Sequence, residues 1–199
     1  MNEDSKPPFA ESSLRVIIFM DGGYVRQTLN DIQAKKKGDT LDQRKGKEEG
    51  DKVDYSHISK ILLRKFSVEN GDAKSYFYDG IPDAEKEPEL YKKQVDYLQK
   101  IRDLELWEVR EGQLIRSDTN GLEQKGVDDL IAKDMTIYAS ENWYDVAILV
   151  SGDEDLLDAV RKVKNTGKKV FGAYFRRSIS SKLKCAFYKC YEMTLYDFD

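Results

Sequence analysis

The sequence predicts an α/β protein, a three-layer α/β/α sandwich with a mainly parallel central sheet, and three observations predict it. Two continuous apolar runs, Val16-Ile17-Ile18-Phe19-Met20 and Val146-Ala147-Ile148-Leu149-Val150, have the length and branching of strands buried on both faces. Apolar residues at helical spacing alternate with strand-like runs along the chain, the pattern of crossover units. Each of the two runs stops at polar residues, Asp21-Gly22-Gly23 and Ser151-Gly152-Asp153, as strands do where an open parallel sheet meets its ligand crevice.

Residues 1–13 are polar around Pro7-Pro8 and read as a flexible tail before a single domain over 14–199. From Tyr24 to Ile32 the first strand leads into a helix. Residues 34–53 are dominated by Lys, Asp, Glu and Gly, the composition of a charged, mobile insertion. Ile58, Ile61, Leu62 and Phe66 recur at helical spacing, and Ser75 to Tyr78 reads as a strand stopping at Asp79-Gly80. Beyond Pro82 and Pro88, a helix carries Leu90, Val95, Leu98, Ile101 and Leu104. Leu106 to Val109 and Gln113 to Arg116 read as two short strands joined at Glu111-Gly112. A helix follows from Val127 to Tyr138. After the second apolar run, Leu156, Leu157, Val160 and Val163 define a helix over 154–165, which Gly167 terminates. Val170 to Phe175 is a strand, Ser180 to Tyr188 a short helix, and Tyr191 to Tyr196 a last strand.

A chain of 199 residues fits one domain with a tail and an insertion, and is long enough to fold without disulfides or a structural metal. Its net charge of −4 argues against a generally basic nucleic-acid coat or a polybasic membrane binder. No apolar run approaches the roughly 18 residues of a membrane span. Two cysteines, Cys185 and Cys190, offer neither a zinc site nor a disulfide framework, which fits a reducing, cytoplasmic setting. The single histidine, His57, beside a helical stripe, excludes multi-histidine zinc chemistry and disfavours Ser-His-Asp hydrolysis. Catalysis, if present, rests on carboxylates.

Asp21 and Asp153 end two of the most apolar strands and so share one rim of the sheet. Each has a plainer reading: Asp153 as a helix cap, Asp21 as the stabiliser of a Gly-Gly turn. Within Lys125-Gly126-Val127-Asp128 and the helix that follows, Asp134 falls among Val127, Leu130, Ile131 and Tyr138. A carboxylate on that stripe needs donors or a cation, and a satisfied internal hydrogen bond competes with metal ligation. Asp128 lies at the stripe's edge near the helix start, where it can reach the rim or favour the helix N-terminus. Acids converging without His or Cys select a hard cation, Mg²⁺ or Mn²⁺, which suits phosphate chemistry. From Arg161 to Tyr191 there are ten Lys or Arg and no acid, so all 37 Asp and Glu lie elsewhere. Arg176, Arg177, Lys182 and Lys184 are interleaved there with aromatics, which suits a nucleic-acid backbone and unstacked bases as well as a solvated basic face.

Three motifs, Phe19-Met20-Asp21-Gly22-Gly23-Tyr24, Lys125-Gly126-Val127-Asp128 with Asp134-Met135, and Leu149-Val150-Ser151-Gly152-Asp153-Glu154-Asp155-Leu156, resemble the NYN domain of the LabA-like group within the PIN-like nuclease superfamily. The resemblance spans about Leu14 to Cys190. It implies a PIN-like fold and a divalent-metal-dependent ribonuclease hydrolysing phosphodiester bonds of single-stranded or structured RNA. It makes Asp21, Asp128 and Asp153 the catalytic, metal-binding carboxylates, with Asp155 a fourth ligand and Asp134 and Ser151 in support. Tyr24 stands where many members carry Asn, and Leu156 where Phe is commoner. A non-catalytic RNA-binding or regulatory module keeping a structural cation is the alternative, and a homodimer is left open. A phosphohydrolase of the haloacid-dehalogenase type is disfavoured, because Gly-Gly follows Asp21 where that chemistry uses a second acid.

Overall fold

The computed structural model describes residues 13–37, 53–117 and 121–198. Residues 1–12 of the expected tail and most of the expected insertion lie outside the described residues. Among the described residues seven strands, β1 (Arg15–Asp21), β2 (Asp72–Pro82), β3 (Trp107–Ser117), β4 (Gly121–Lys125), β5 (Val146–Val150), β6 (Lys169–Phe175) and β7 (Lys189–Met193), form one sheet. Their order is β4-β3-β2-β1-β5-β6-β7. Every pairing is parallel except that of β3 with β4.

Alternation along the central strands splits the core into two layers. Val16, Ile18 and Met20 of β1 pack with Val25 and Leu29 of α1 (Gly22–Lys37), Ile58, Leu62 and Phe66 of α2 (Tyr55–Phe66) and Leu98 and Ile101 of α3 (Pro88–Arg102). Ile17 and Phe19 face the other way, onto α4 (Val127–Ser140), α5 (Leu157–Asn165) and α6 (Ser181–Ala186). The architecture is the expected three-layer sandwich. Residues 16–20 and 146–150 are wholly or almost wholly buried, and removing each large apolar side chain from water is worth about 1.5–3 kcal/mol.

Several elements differ from their expected form. The last strand, expected over Tyr191 to Tyr196, is β7 and gives way to a 3₁₀ turn at Leu195–Asp197. β4 is not among the expected strands, and two further differences bear on the site. Gln113 to Arg116 is not a separate strand: β3 runs without a break through Gly112 to Ser117 and then pairs antiparallel with β4. Glu111-Gly112 reads as a turn in sequence, yet Gly112 sits in the ladder opposite Gly80. A β-carbon there would stand 2.6 Å from Val127 Cγ2, so glycine is required by the close approach of α4 and not by a turn. The strand expected over 75–78 likewise extends to Pro82, because Asp79 and Gly80 continue to pair with β3. β1, β2 and β5 are adjacent and parallel, so their carboxyl ends form one rim, and α4 begins where β4 returns to it.

Candidate functional site

Asp21, the last residue of β1, is 6% exposed. One carboxylate oxygen accepts from the Tyr24 backbone N–H at 2.9 Å and so caps the start of α1; the other accepts from the Ser151 hydroxyl at 3.2 Å. Burial pushes its pKa up to about 7 against these hydrogen bonds, and the charges of Asp128 and Asp79 push the same way. Ser151, fully buried just past β5, also accepts from the Asp153 backbone N–H at 3.3 Å, so one hydroxyl ties two motifs together. Asp153 is exposed and its side chain accepts from the Asp155 N–H at 2.9 Å, capping the 3₁₀ turn Glu154–Leu156.

Asp128 stands half-buried in the first turn of α4. Burial raises its pKa, followed by the charges of Asp153, Asp155 and Asp129. The charge of Asp128 thus bears on Asp21, and those of Asp153 and Asp155 bear on Asp128. None of these four acids takes part in an ion pair among the described residues. The caps expected of Asp21 and Asp153 are present, and the same side chains sit on the acidic rim.

Asp134 is held elsewhere. It accepts from the Tyr78 hydroxyl at 3.0 Å and lies 3.6 Å from Arg110 Nε, within a cluster where Arg110 also donates to the Tyr138 hydroxyl at 2.9 Å. Burial raises its pKa, opposed by the Tyr78 hydrogen bond and Arg110. The internal hydrogen bond that competes with metal ligation is thus made.

A further acid, Asp79 within β2, is fully buried beside the rim, and the sequence assigns it no function. Arg26 of α1 approaches it at 2.6 Å, and the Gly80 N–H and Gln124 side-chain amide donate to it at 2.8 and 2.6 Å. Arg26 in turn donates to Gln94 and lies over the Tyr97 ring. Burial raises the Asp79 pKa and Arg26 opposes that shift. The strand-end rule that selects Asp21 and Asp153 applies equally to Asp79-Gly80 and could have found it. Nothing in the sequence marks Arg26 or Gln124 as its partners. Gln124 reaches Asp79 by lying against Gly23, where a β-carbon would stand 2.3 Å from its amide nitrogen.

The basic run is divided by the fold. Lys168, Lys169 and Lys189 lie at the amino ends of β6 and β7, away from the acids. Arg176 and Arg177 are exposed just beyond the carboxyl end of β6, and Lys182 contacts Glu154 at 2.6 Å beside the 3₁₀ turn. Lys184 sits 5.0 Å over the Tyr174 ring. Cys185 and Cys190 are exposed and form no disulfide, and His57 is exposed in the first turn of α2.

The rim offers only oxygen donors, all from carboxylates and a hydroxyl, which fits a hard divalent cation. Among the described residues no group of three or more His, Cys, Asp or Glu side chains stands gathered to hold a metal ion. Mg²⁺ commonly uses only one or two carboxylates and keeps several waters, so its binding does not require a closed cage.

No helix among the described residues is long and apolar enough to cross a membrane. The family model of the NYN domain matches residues 15–193. Among solved structures, a protein of unknown function from Vibrio parahaemolyticus superposes with a TM-score of 0.63 at 17% identity, covering 96% of this chain and 98% of that one. No curated protein sequence matches.

Proposed function

Because the chain belongs to the NYN domain family, within the PIN-like nuclease superfamily, we propose that it is a divalent-metal-dependent ribonuclease. Asp21, Asp128 and Asp153 are the carboxylates that would hold Mg²⁺ or Mn²⁺, directly or through its retained waters, with Asp155 a fourth. A cation held there would supply Lewis-acid polarisation of an RNA phosphodiester and a more acidic water. Asp21 and Asp128 supply the negative charge that binds the ion, and Ser151 keeps Asp21 and the Asp153 loop in register. Arg176, Arg177, Lys182 and Lys184 contact the RNA backbone beside the acids.

The observation carrying this reading is that Asp21 is buried, bonded only by neutral donors, and neighboured by further carboxylates. Such a group relaxes when a cation arrives. The test is cleavage of single-stranded and structured RNA by the purified protein in Mg²⁺, Mn²⁺ or EDTA, with Asp21→Asn, Asp128→Asn and Asp153→Asn alongside. Metal-dependent cleavage lost in the variants supports the assignment, and equal cleavage in EDTA overturns it.

One observation favours a second reading. No three acids stand gathered around a common point among the described residues, as a non-catalytic RNA-binding module with a structural cation would allow. RNA binding without cleavage across many RNAs and both metals selects that reading.

A further inference from the structure

Tyr24 joins the acidic half of the rim to the basic half. Its backbone N–H is held by Asp21, and its hydroxyl accepts from the Phe175 N–H at 2.9 Å and bonds the Ser178 hydroxyl at 2.8 Å. Those two contacts bracket Arg176 and Arg177. The turn between them is closed by the Ser178 N–H on the Phe175 carbonyl at 3.1 Å, and the Ser180 N–H donates to the Gly152 carbonyl at 3.1 Å. Gly152 makes this juxtaposition possible: a β-carbon there would lie 1.7 Å from the Ser178 carbonyl oxygen and 3.0 Å from the Tyr24 ring. Arg177 is held at φ 63°, a left-handed conformation that disfavours a residue with a β-carbon and persists where surrounding contacts impose it. Both side chains nevertheless remain exposed, and among the described residues only Arg176 approaches an acid, Glu192 at 4.0 Å.

An ordered turn holding two cations at the edge of an acid cluster has the chemistry to receive a phosphate backbone passing over that cluster. We infer that Tyr24 is a positioning residue, whose hydroxyl sets the Arg176–Arg177 turn so that it receives the phosphodiester strand bound at the acids. The inference rests on the proposed action on RNA. It adds that affinity for the strand is coupled to a side chain that touches neither strand nor cation.

The experiment measures binding of a labelled single-stranded RNA by anisotropy in EDTA, then KM and kcat in Mg²⁺. Tyr24→Phe is expected to weaken binding about five-fold and raise KM to match, with kcat unchanged. Trypsin is expected to cut after Arg176 and Arg177 faster in Tyr24→Phe than in the parent protein. Arg176→Ala combined with Arg177→Ala weakens binding as well, and adding Tyr24→Phe to that pair weakens it no further. Unchanged affinity in Tyr24→Phe, additive losses in the triple variant, or no RNA binding by the parent protein each overturn the inference. A parent protein that binds RNA but does not cut it removes the hydrolase reading alone, and the anisotropy results still decide the role of Tyr24.

Discussion

The two ends of the sheet put the same residue type to opposite uses. At the amino end, just before β5, Asp145 accepts from Arg15 Nη2 at 2.8 Å, Arg15 Nε at 3.1 Å and the Arg15 backbone N–H at 3.0 Å, with Lys168 at 3.6 Å. The Arg15 hydrogen bonds hold its carboxyl below the usual range. At the carboxyl end, Asp21 has two neutral donors and acidic neighbours, and its pKa stands at about 7. Asp145 clasps β1 to β5 and stabilises the fold. Asp21 is a charge that the fold leaves uncompensated, and such groups concentrate where a protein meets a ligand. Asp79 falls between them, buried like Asp21 but paired like Asp145.

The sharpest way to break this comparison is to neutralise the uncompensated end. Asp21→Asn, Asp128→Asn and Asp153→Asn are each expected to slow RNA cleavage by about 100-fold or more while keeping a cooperative melt. Unchanged turnover in all three would leave the rim without a catalytic role. Arg15→Ala should do the reverse. It is expected to cost about 1–2 kcal/mol of stability in denaturant unfolding, a figure held down by the part-exposed Asp145, while the folded fraction cleaves at the parental rate.

Proton linkage gives the two ends opposite slopes. The Asp21 pKa is raised from 3.8 to about 7, so the folded state holds a proton there that the unfolded chain has released. Stability is therefore lost through this group as pH rises from about 4 to about 7. The Asp145 pKa is lowered, so its contribution is present above 3.8 and lost as pH falls below it. Melting temperatures across pH should show Asp21→Asn removing the neutral-pH decline, and Mg²⁺ raising the melting temperature of the parent protein but not of that variant. The smallest effect is expected from Arg176→Ala or Arg177→Ala: a few-fold rise in KM and a salt dependence of RNA binding shallower by about one phosphate contact.

Much of this arrangement is legible in the chain. The run Val146–Val150 is β5 to the residue, because a central parallel strand is apolar throughout and bounded by polar residues. The expected placement of Asp21 and Asp153 on one rim follows from the same rule, and Asp134 is identified as an acid needing a partner, which Tyr78 supplies. What stays illegible depends on contacts between distant segments. Gly112 imitates a turn because its real constraint is Val127, and Asp79 is neutralised by Arg26, 53 residues away in sequence, at a separation no local pattern encodes. The basic run looks continuous because sequence order hides that parallel strands carry Lys168, Lys169 and Lys189 to the far end of the sheet.

The lodging of Gln124 against Gly23 carries an evolutionary consequence. A side chain at position 23 would displace the Gln124 amide that donates to Asp79, so exchanging this glycine costs that hydrogen bond even though the backbone there would accept other residues. Descendants of this chain can vary the rest of β4 more freely than Gln124, and exchanging Gly23 calls for a new donor to the carboxylate on β2, the strand adjacent to β1.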